Sequence, residues 1–257
     1  MPHTAAFEMI AAGLTDVGRM RVRNEDCLRL VPESGLALVC DGMGGHAGGD
    51  VASRKAVESI AASIMAFSPA APVLEPRVRA AAAAARSAVL LANRRIHALN
   101  QERGFSEGRG MGTTVVGLWQ VPGSDRLVVF HAGDSRLYRL RAGALQPLTR
   151  DHSLYQMWID NGRPGAAPHR NIIVRALGTG ETVEPDIHVH RLEPDDLYLL
   201  CSDGLNGMVP DAAIARILDQ EGRRRPEDGC ARLVDAANQA GGNDNITVII
   251  ARFAPRP

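Results

Sequence analysis

Residues 36–42 read LALVCDG, an apolar run followed directly by Asp-Gly. A short apolar run that ends at a turn dipeptide is typical of a buried strand. A second segment, LYLLCSDG at 197–204, repeats this arrangement far along the chain. Each predicted strand therefore carries an aspartate at its carboxyl end, Asp41 in the first and Asp203 in the second.

Further β-rich runs and four helical segments complete the pattern. The predicted strands cover 27–31, 36–40, 113–119, 127–132, 137–140, 187–191, 197–201 and 246–253, and the predicted helices cover 51–67, 76–103, 211–218 and 226–240. Clustered strands with pairs of helices between them lack the strict alternation of a doubly wound fold. We therefore predict an α+β fold of antiparallel sheets covered by helices.

The chain is expected to form one domain over residues 1–257, because no repeat period and no Pro/Gly/Ser-rich linker divides it. Residues 150–171 contain several glycines and prolines and match no long periodic element. A loop of this length inside a compact domain is usually functional or mobile.

Charge balance and cysteine content limit the classes of function. Lys+Arg and Asp+Glu number 29 each, so no overall field attracts nucleic acid or an anionic membrane. The four cysteines form no CxxC pair, which favours a reducing compartment over a zinc or disulfide framework. The N-terminus lacks the features of a secretory signal, and no apolar stretch reaches the roughly 18–20 residues of a membrane span. We expect a soluble, cytoplasmic protein.

A third aspartate, Asp244, lies in GGNDN just before the predicted strand 246–253. Carboxylates held at strand ends can converge into an all-oxygen site for Mg²⁺ or Mn²⁺. The glycine after Asp41 would let the Gly42 carbonyl approach such a metal. The alternative is that Asp-Gly is a common turn dipeptide, and spacing alone does not establish that the aspartates meet.

One glycine-rich segment and one arginine-rich segment are candidates for phosphate binding. DGMGGHAGGD at 41–50 lacks the lysine of a phosphate-binding nucleotide loop, which disfavours a nucleotide fold. GRMRVRNED at 18–26 places Arg21 between two other arginines and next to Glu25 and Asp26. Arginine can bind phosphate through two parallel hydrogen bonds, although a solvated charged turn would look the same in sequence. No Cys-x₅-Arg loop is present, which argues against a cysteine-based phosphatase.

Together these segments resemble the type 2C, metal-dependent protein serine/threonine phosphatases, particularly the compact bacterial members. The resemblance runs in order through TDVGRMRVRNED (15–26), LALVCDGMGGHAGG (36–49), GMGTT (110–114), HAGDSRLYRL (131–140), LTRDHS (148–153), RALG (175–178), LLCSDGL (199–205) and GGNDNITVI (241–249). It implies a β-sandwich of two antiparallel sheets flanked by pairs of helices, in α-β-β-α layers. It also implies hydrolysis of phosphoserine and phosphothreonine by a water activated between two metals, which would reverse bacterial Ser/Thr kinase signalling.

The resemblance assigns a metal core to the aspartates. Asp41 would bridge two Mn²⁺ or Mg²⁺ ions, with the Gly42 carbonyl on one of them and Asp203 and Asp244 on the other. Asp134, in AGDSR, matches the position that joins Asp203 at a third and weaker metal site in bacterial relatives.

Outside the core, Glu25 would bind a metal-coordinated water and Arg21 would hold the substrate phosphate. Residues 150–171 correspond to the variable flap beside the active site. The expected partners are phosphorylated proteins, which would be a cognate Ser/Thr kinase or its substrates, and a monomer is expected.

Two positions depart from the family pattern. Met43 follows the Asp-Gly where many eukaryotic members carry a histidine proposed as the general acid, so water or another residue would protonate the leaving group. We do not transfer that role to His46. Residues 164–168 offer no carboxylate or hydroxyl to a third metal.

Two other functions remain open at the level of sequence. A pseudophosphatase of the same fold would act as a binding module and would normally have lost some metal aspartates. A small-molecule or nucleotide hydrolase could use an unrelated metal site.

Overall fold

The strands and helices follow the apolar pattern of the sequence. The computed structural model describes residues 7–44, 48–68, 73–106 and 108–255. Its strands are β1 (Phe7–Asp16), β2 (Cys27–Val31), β3 (Leu36–Cys40), β4 (Gly42–Met43), β5 (Gly112–Thr113), β6 (Val115–Gln120), β7 (Arg126–Ala132), β8 (Arg136–Arg141), β9 (Ala144–Pro147), β10 (Asp186–Arg191), β11 (Leu197–Cys201) and β12 (Ile246–Pro255). Its helices are α1 (Gly49–Met65), α2 (Leu74–Glu102), α3 (Leu154–Asp160), α4 (Asp203–Asn206), α5 (Asp211–Ile217) and α6 (Pro226–Gln239).

The strands form two five-stranded sheets and one short pair. The first sheet has the order β1-β12-β11-β8-β9 and the second has the order β10-β7-β6-β3-β2. The strand pairs within both sheets are antiparallel. Strands β4 and β5 pair separately beside the second sheet.

The central strands are buried on both faces. In β3 the even-numbered residues belong to the core that contains α1 and α2, and the odd-numbered residues belong to the core between the sheets. In β11 the odd-numbered residues pack with α5 and α6, and the even-numbered residues lie between the sheets. Because successive side chains of a strand point to opposite faces, these runs produce four layers. The predicted α-β-β-α sandwich is confirmed.

Small residues allow α1 and α2 to pack closely. The buried face of α1 includes residues 52, 56, 60 and 64, and that of α2 includes residues 81, 85, 88 and 92. Positions three or four apart lie on one side of a helix, and six of these eight residues are alanines. The alanine-rich run that begins at residue 80 is therefore part of a helix with one buried face.

Several elements differ from the prediction. Strands β1 and β9 were not predicted, and the predicted strand 113–119 is divided at Thr114 into β5 and β6. The region 150–171 contains the short helix α3, whose N-cap Ser153 accepts a hydrogen bond from Gln156 N at 3.1 Å.

Within the described residues, none of the helices combines the length and the apolar character needed to cross a membrane.

Candidate metal centre

The candidate residues lie where strand ends of each sheet meet. In the first sheet, Cys201 at the end of β11 pairs with Val248 of β12 and with Arg136 of β8. In the second sheet, Val115 at the start of β6 pairs with Ala132 at the end of β7. Antiparallel register therefore brings together loops that are distant in sequence, and these loops carry the predicted aspartates.

Asp41 connects β3 to β4, and two threonines hold its backbone. Its N–H donates to Thr114 Oγ1 at 3.0 Å, and its carbonyl accepts from Thr114 N at 2.9 Å and from Thr113 Oγ1 at 2.9 Å. Thr114 Oγ1 also lies 2.7 Å from Ser135 Oγ, in the turn that carries Asp134. Thr114 thereby links the segments of Asp41 and Asp134, which the sequence did not indicate.

Asp203, the first residue of α4, brings its carboxyl group to that of Asp41. The two side chains lie close enough for each carboxyl group to influence the pKa of the other. Burial raises the pKa of Asp41 well above its usual range, and Asp26, Asp203, Asp134 and Asp244 raise it further by repulsion. Burial and then Asp244 raise the pKa of Asp203 as well. Crowded carboxyl groups of this kind ionise fully only when positive charge is added.

Asp244 contacts the arginine-rich loop directly. Arg21 Nη2 donates to Asp244 Oδ2 at 2.7 Å, and Asn245 N donates to Asp244 Oδ1 at 2.9 Å. The Asn245 side chain accepts from Glu25 N at 2.8 Å and donates to the Arg23 carbonyl at 2.9 Å. Asn245 therefore fastens the arginine-rich loop to the aspartate. Asn245 was not predicted from the sequence, and its place next to Asp244 in GGNDN was the available signal.

Gly42 packs tightly between Glu25 and the start of α1. Its N–H donates to the Glu25 carbonyl at 3.2 Å, and a Cβ on Gly42 would overlap the carbonyl oxygens of Glu25 and Gly49. Only glycine fits this position. Burial raises the pKa of Glu25, and repulsion from Asp50 adds to that increase.

Two buried carboxyl oxygens have no hydrogen-bond partner among the described residues, namely Asp26 Oδ1 and Asp134 Oδ1. Asp26 Oδ2 accepts from Ser202 Oγ at 2.7 Å, and burial raises the pKa of Asp26 to about 6. Burial, followed by repulsion from Asp203, raises the pKa of Asp134 to about 7. Asp26 was not assigned a role from sequence, although it directly precedes β2 and so shares the strand-end position of the other aspartates.

One acidic cluster is formed by carboxyl groups that repel one another, namely those of Asp26, Asp41, Asp134, Asp203 and Asp244. In the described part of the chain, the one trio whose ligand atoms lie within 4.8 Å of one another is His131, His152 and Asp186, outside the acidic cluster. Mg²⁺ commonly binds through one or two carboxylates and keeps several waters. Unpartnered oxygens and raised pKa values indicate that positive charge belongs here. The residues therefore fit hydrated divalent cations.

The two positions that depart from the family pattern are Met43, in place of a general acid, and residues 164–168 of the flap. Met43 is the second residue of β4 and has no titratable group, and His46 lies outside the described residues. Residues 161–167, which follow α3, are exposed, and Trp158 Nε1 donates to the Pro164 carbonyl at 3.0 Å.

Known proteins share both the sequence and the fold. A family model described as Protein phosphatase 2C matches residues 21–236. The serine/threonine protein phosphatase PstP of Mycobacterium tuberculosis (strain ATCC 25618 / H37Rv) is 36% identical over 247 residues, covering 93% of this chain and 44% of PstP. The chain thus spans less than half the length of that relative. The serine/threonine phosphatase stp of Listeria innocua is 33% identical over 249 residues, with 92% of each protein covered.

A solved structure agrees with these matches. The catalytic domain of PstP in complex with two manganese ions superposes with a TM-score of 0.82 at 33% identity, covering 97% of this chain and 100% of that one. The predicted family is confirmed. The chain belongs to the protein phosphatase 2C family, the metal-dependent protein serine/threonine phosphatases.

Proposed function

We propose that this chain removes phosphate from phosphoserine and phosphothreonine in proteins, using Mn²⁺ or Mg²⁺ held by the acidic cluster. The observation that carries this proposal is the set of buried carboxyl groups with raised pKa values and unpartnered oxygens beside an exposed arginine. Family membership supplies the reaction class.

The core ligands would be Asp41, the Gly42 carbonyl, Asp203 and Asp244, and Asp134 would contribute to a third and weaker site. Divalent cations bound there would lower the pKa of a coordinated water and neutralise charge on the phosphate oxygens. The buried threonine contacts of Asp41 would keep its backbone from moving when the substrate binds.

Glu25 and Asp26 would accept hydrogen bonds from waters around the cations. Asp26 suits this role because Oδ2 is already fixed by Ser202 and Oδ1 is buried with no partner among the described residues. A fixed carboxylate with one free oxygen can orient a water toward the phosphorus atom.

Arg21 would bind the phosphate group. Its side chain is 52% exposed, and Asp244 orients it by accepting one hydrogen bond from Nη2 at 2.7 Å. A guanidinium has five N–H donors in a planar fork, so one contact to Asp244 leaves donors that can meet two phosphate oxygens.

The natural substrates would be phosphorylated proteins, which we propose to be a cognate Ser/Thr kinase or the proteins it phosphorylates. Cys27, Cys40, Cys201 and Cys230 are free thiols, which supports a cytoplasmic location for the reaction.

The decisive experiment replaces metal ligands without changing their shape. Asp203→Asn and Asp244→Asn each remove a charged oxygen ligand, so Mn²⁺-dependent turnover of p-nitrophenyl phosphate and of phosphothreonine peptides should collapse while the fold persists. Asp235→Asn, on the exposed face of α6, is the matched control and should retain wild-type turnover. Wild-type turnover of either ligand variant at saturating Mn²⁺ would refute the metal assignment. If the wild-type protein hydrolyses p-nitrophenyl phosphate but none of the phosphopeptides, a small-molecule hydrolase is indicated.

A further inference from the structure

Two stacked histidines, His131 and His152, lie next to the turn that carries Asp134. The rings of His131 and His152 are 4.5 Å apart between centroids and inclined by 15°. Both residues are buried, at 1% and 8% exposure. Asp186, at the start of β10, lies 3.3 Å from His152 Nε2 through Oδ2.

Hydrogen-bond geometry argues that this trio is not itself a metal site. Gly133 N–H, which can only donate, points at His152 Nδ1 at 3.2 Å. Nδ1 is therefore the acceptor, and Nε2 lies 3.3 Å from Asp186 Oδ2 and 3.2 Å from Arg175 Nη1. A metal-binding histidine instead donates from its other nitrogen. Arg175 Nη1, 3.1 Å from Asp186 Oδ1, already supplies a positive charge to that carboxylate.

His152 instead holds Gly133 from two directions. Its backbone N–H donates to the Gly133 carbonyl at 2.9 Å, and its Nδ1 accepts from the Gly133 N–H. Gly133 has a φ of +118°, and a Cβ there would overlap the Thr114 side chain. This turn has an unusual backbone conformation, and the residue that follows it is Asp134.

The same histidine is joined to both ends of the flap region. Its carbonyl accepts from Val174 N at 2.8 Å, and Leu154 N donates to the Ile172 carbonyl at 2.9 Å just beyond it. The ring cannot easily rotate, because Asp186 and the stacked His131 hold it.

We propose that His152 is a positioning residue for Asp134, and that its Nδ1 acceptor sets the affinity of the weaker cation site by fixing the Gly133–Asp134 turn. This inference rests on the proposed function, because it takes Asp134 as a metal ligand. It requires no contact between His152 and the core ligands Asp41, Asp203 and Asp244.

The test compares His152→Leu, which removes the acceptor, with His152→Asn, which returns a carbonyl oxygen near the position of Nδ1. The leucine variant should raise the Mn²⁺ concentration for half-maximal turnover by roughly five- to tenfold, the effect of one hydrogen bond. The asparagine variant should lie within about twofold of wild type, as expected if the acceptor is what matters. His131→Leu is the matched control, because it loses the same ring stack but contacts the Arg150 carbonyl rather than Gly133.

A direct binding measurement separates this inference from the proposed function. Mn²⁺ titration followed by electron paramagnetic resonance of the free ion should show the weakest binding event, and that event alone, shifted in His152→Leu. In an Asp134→Ala background the leucine substitution should cause no further shift, because both changes act on one site.

Several outcomes would overturn the inference, namely an unshifted weak event, an equal shift in His131→Leu, or a full additional shift in the Asp134→Ala background. A selective shift of Mn²⁺ binding without phosphatase turnover would support His152 and refute the proposed function. Thermal melts in EDTA identify variants that do not fold, and His152→Ala replaces the leucine variant if that one fails.

Discussion

Removing the hydroxyl group of Thr114 should weaken both the fold and the metal centre. The side chain is fully buried, and Oγ1 meets Asp41 N at 3.0 Å and Ser135 Oγ at 2.7 Å. Thr114→Val keeps the branched shape and leaves both of these groups without that partner. A buried polar group that loses its partner costs about 1–3 kcal/mol, so the loss at two groups should lower the free energy of unfolding by about 2–6 kcal/mol.

The matched control is Thr113→Val, at the neighbouring buried position. Thr113 Oγ1 donates to the Asp41 carbonyl at 2.9 Å, but that carbonyl also accepts from Thr114 N at 2.9 Å. The carbonyl therefore stays paired when the Thr113 hydroxyl is lost, and the expected cost is below about 1.5 kcal/mol.

Urea unfolding in EDTA measures these differences without metal stabilisation, and Mn²⁺ titration of turnover measures the effect on the site. Thr114→Val should need more Mn²⁺ for half-maximal activity, because the Asp41 backbone has lost one of its anchors. Equal destabilisation by both variants, or a loss below about 1 kcal/mol for Thr114→Val, would refute the role given to this hydroxyl.

Four further predictions follow from the site and its surroundings. Arg21→Ala should raise KM for a phosphopeptide with little change in Mn²⁺ dependence, and Arg21→Lys should restore only part of the loss because an ammonium lacks the planar fork; full activity of the alanine variant would return Arg21 to a charged surface turn. EDTA should lower the melting temperature, since a ligand at 100 times its Kd stabilises by about 2.7 kcal/mol, and an unchanged melt would exclude a tight site. Burial lowers the pKa of His131 from 6.5 to about 4, so the unfolded chain binds a proton in that interval that the folded chain does not. The contribution of His131 to stability in EDTA, measured as the difference between wild type and His131→Leu, should therefore decline by up to about 3 kcal/mol as pH falls through this window. The carboxyl groups with raised pKa values change stability in the opposite direction in both proteins, and a difference that does not vary with pH would contradict this. Shortening 162–168 should change phosphopeptide preference more than p-nitrophenyl phosphate hydrolysis, and equal effects on both substrates would argue against a flap contact with the peptide.

Local sequence predicted some strands with the correct boundaries and missed others. β3 and β11 have the boundaries predicted from their apolar runs, because each run is short, as in a strand, and ends at turn residues. β1 was missed, since FEMIAAGLTD contains glycine and alanines that favour no strand by themselves. Its ten residues pair with β12 from Phe7↔Pro255 to Asp16↔Ile246, so a partner at the far end of the chain determines its conformation.

Some residues of the site were likewise identified from their sequence neighbours, and others required the structure. Asp41, Asp203 and Asp244 were identified from sequence because each lies next to an apolar strand, which is a property of neighbouring residues. Their roles as ligands remain predictions. Asp26 and Asn245 required the structure, because Asp26 meets Ser202 across 176 positions of sequence and Asn245 meets Glu25 across 220.

The sequence alone determined the central strands and four of the helices, the strand-end aspartates and, through ordered motifs, the family. Tertiary structure alone decided which carboxyl groups crowd together, which oxygens stay unpartnered, and how Thr114 and His152 hold the turns that carry Asp41 and Asp134. The physical reason is that periodicity and turn chemistry depend on adjacent residues. Hydrogen-bond partners and pKa shifts depend instead on register, burial and distance between segments that meet only when the chain is folded.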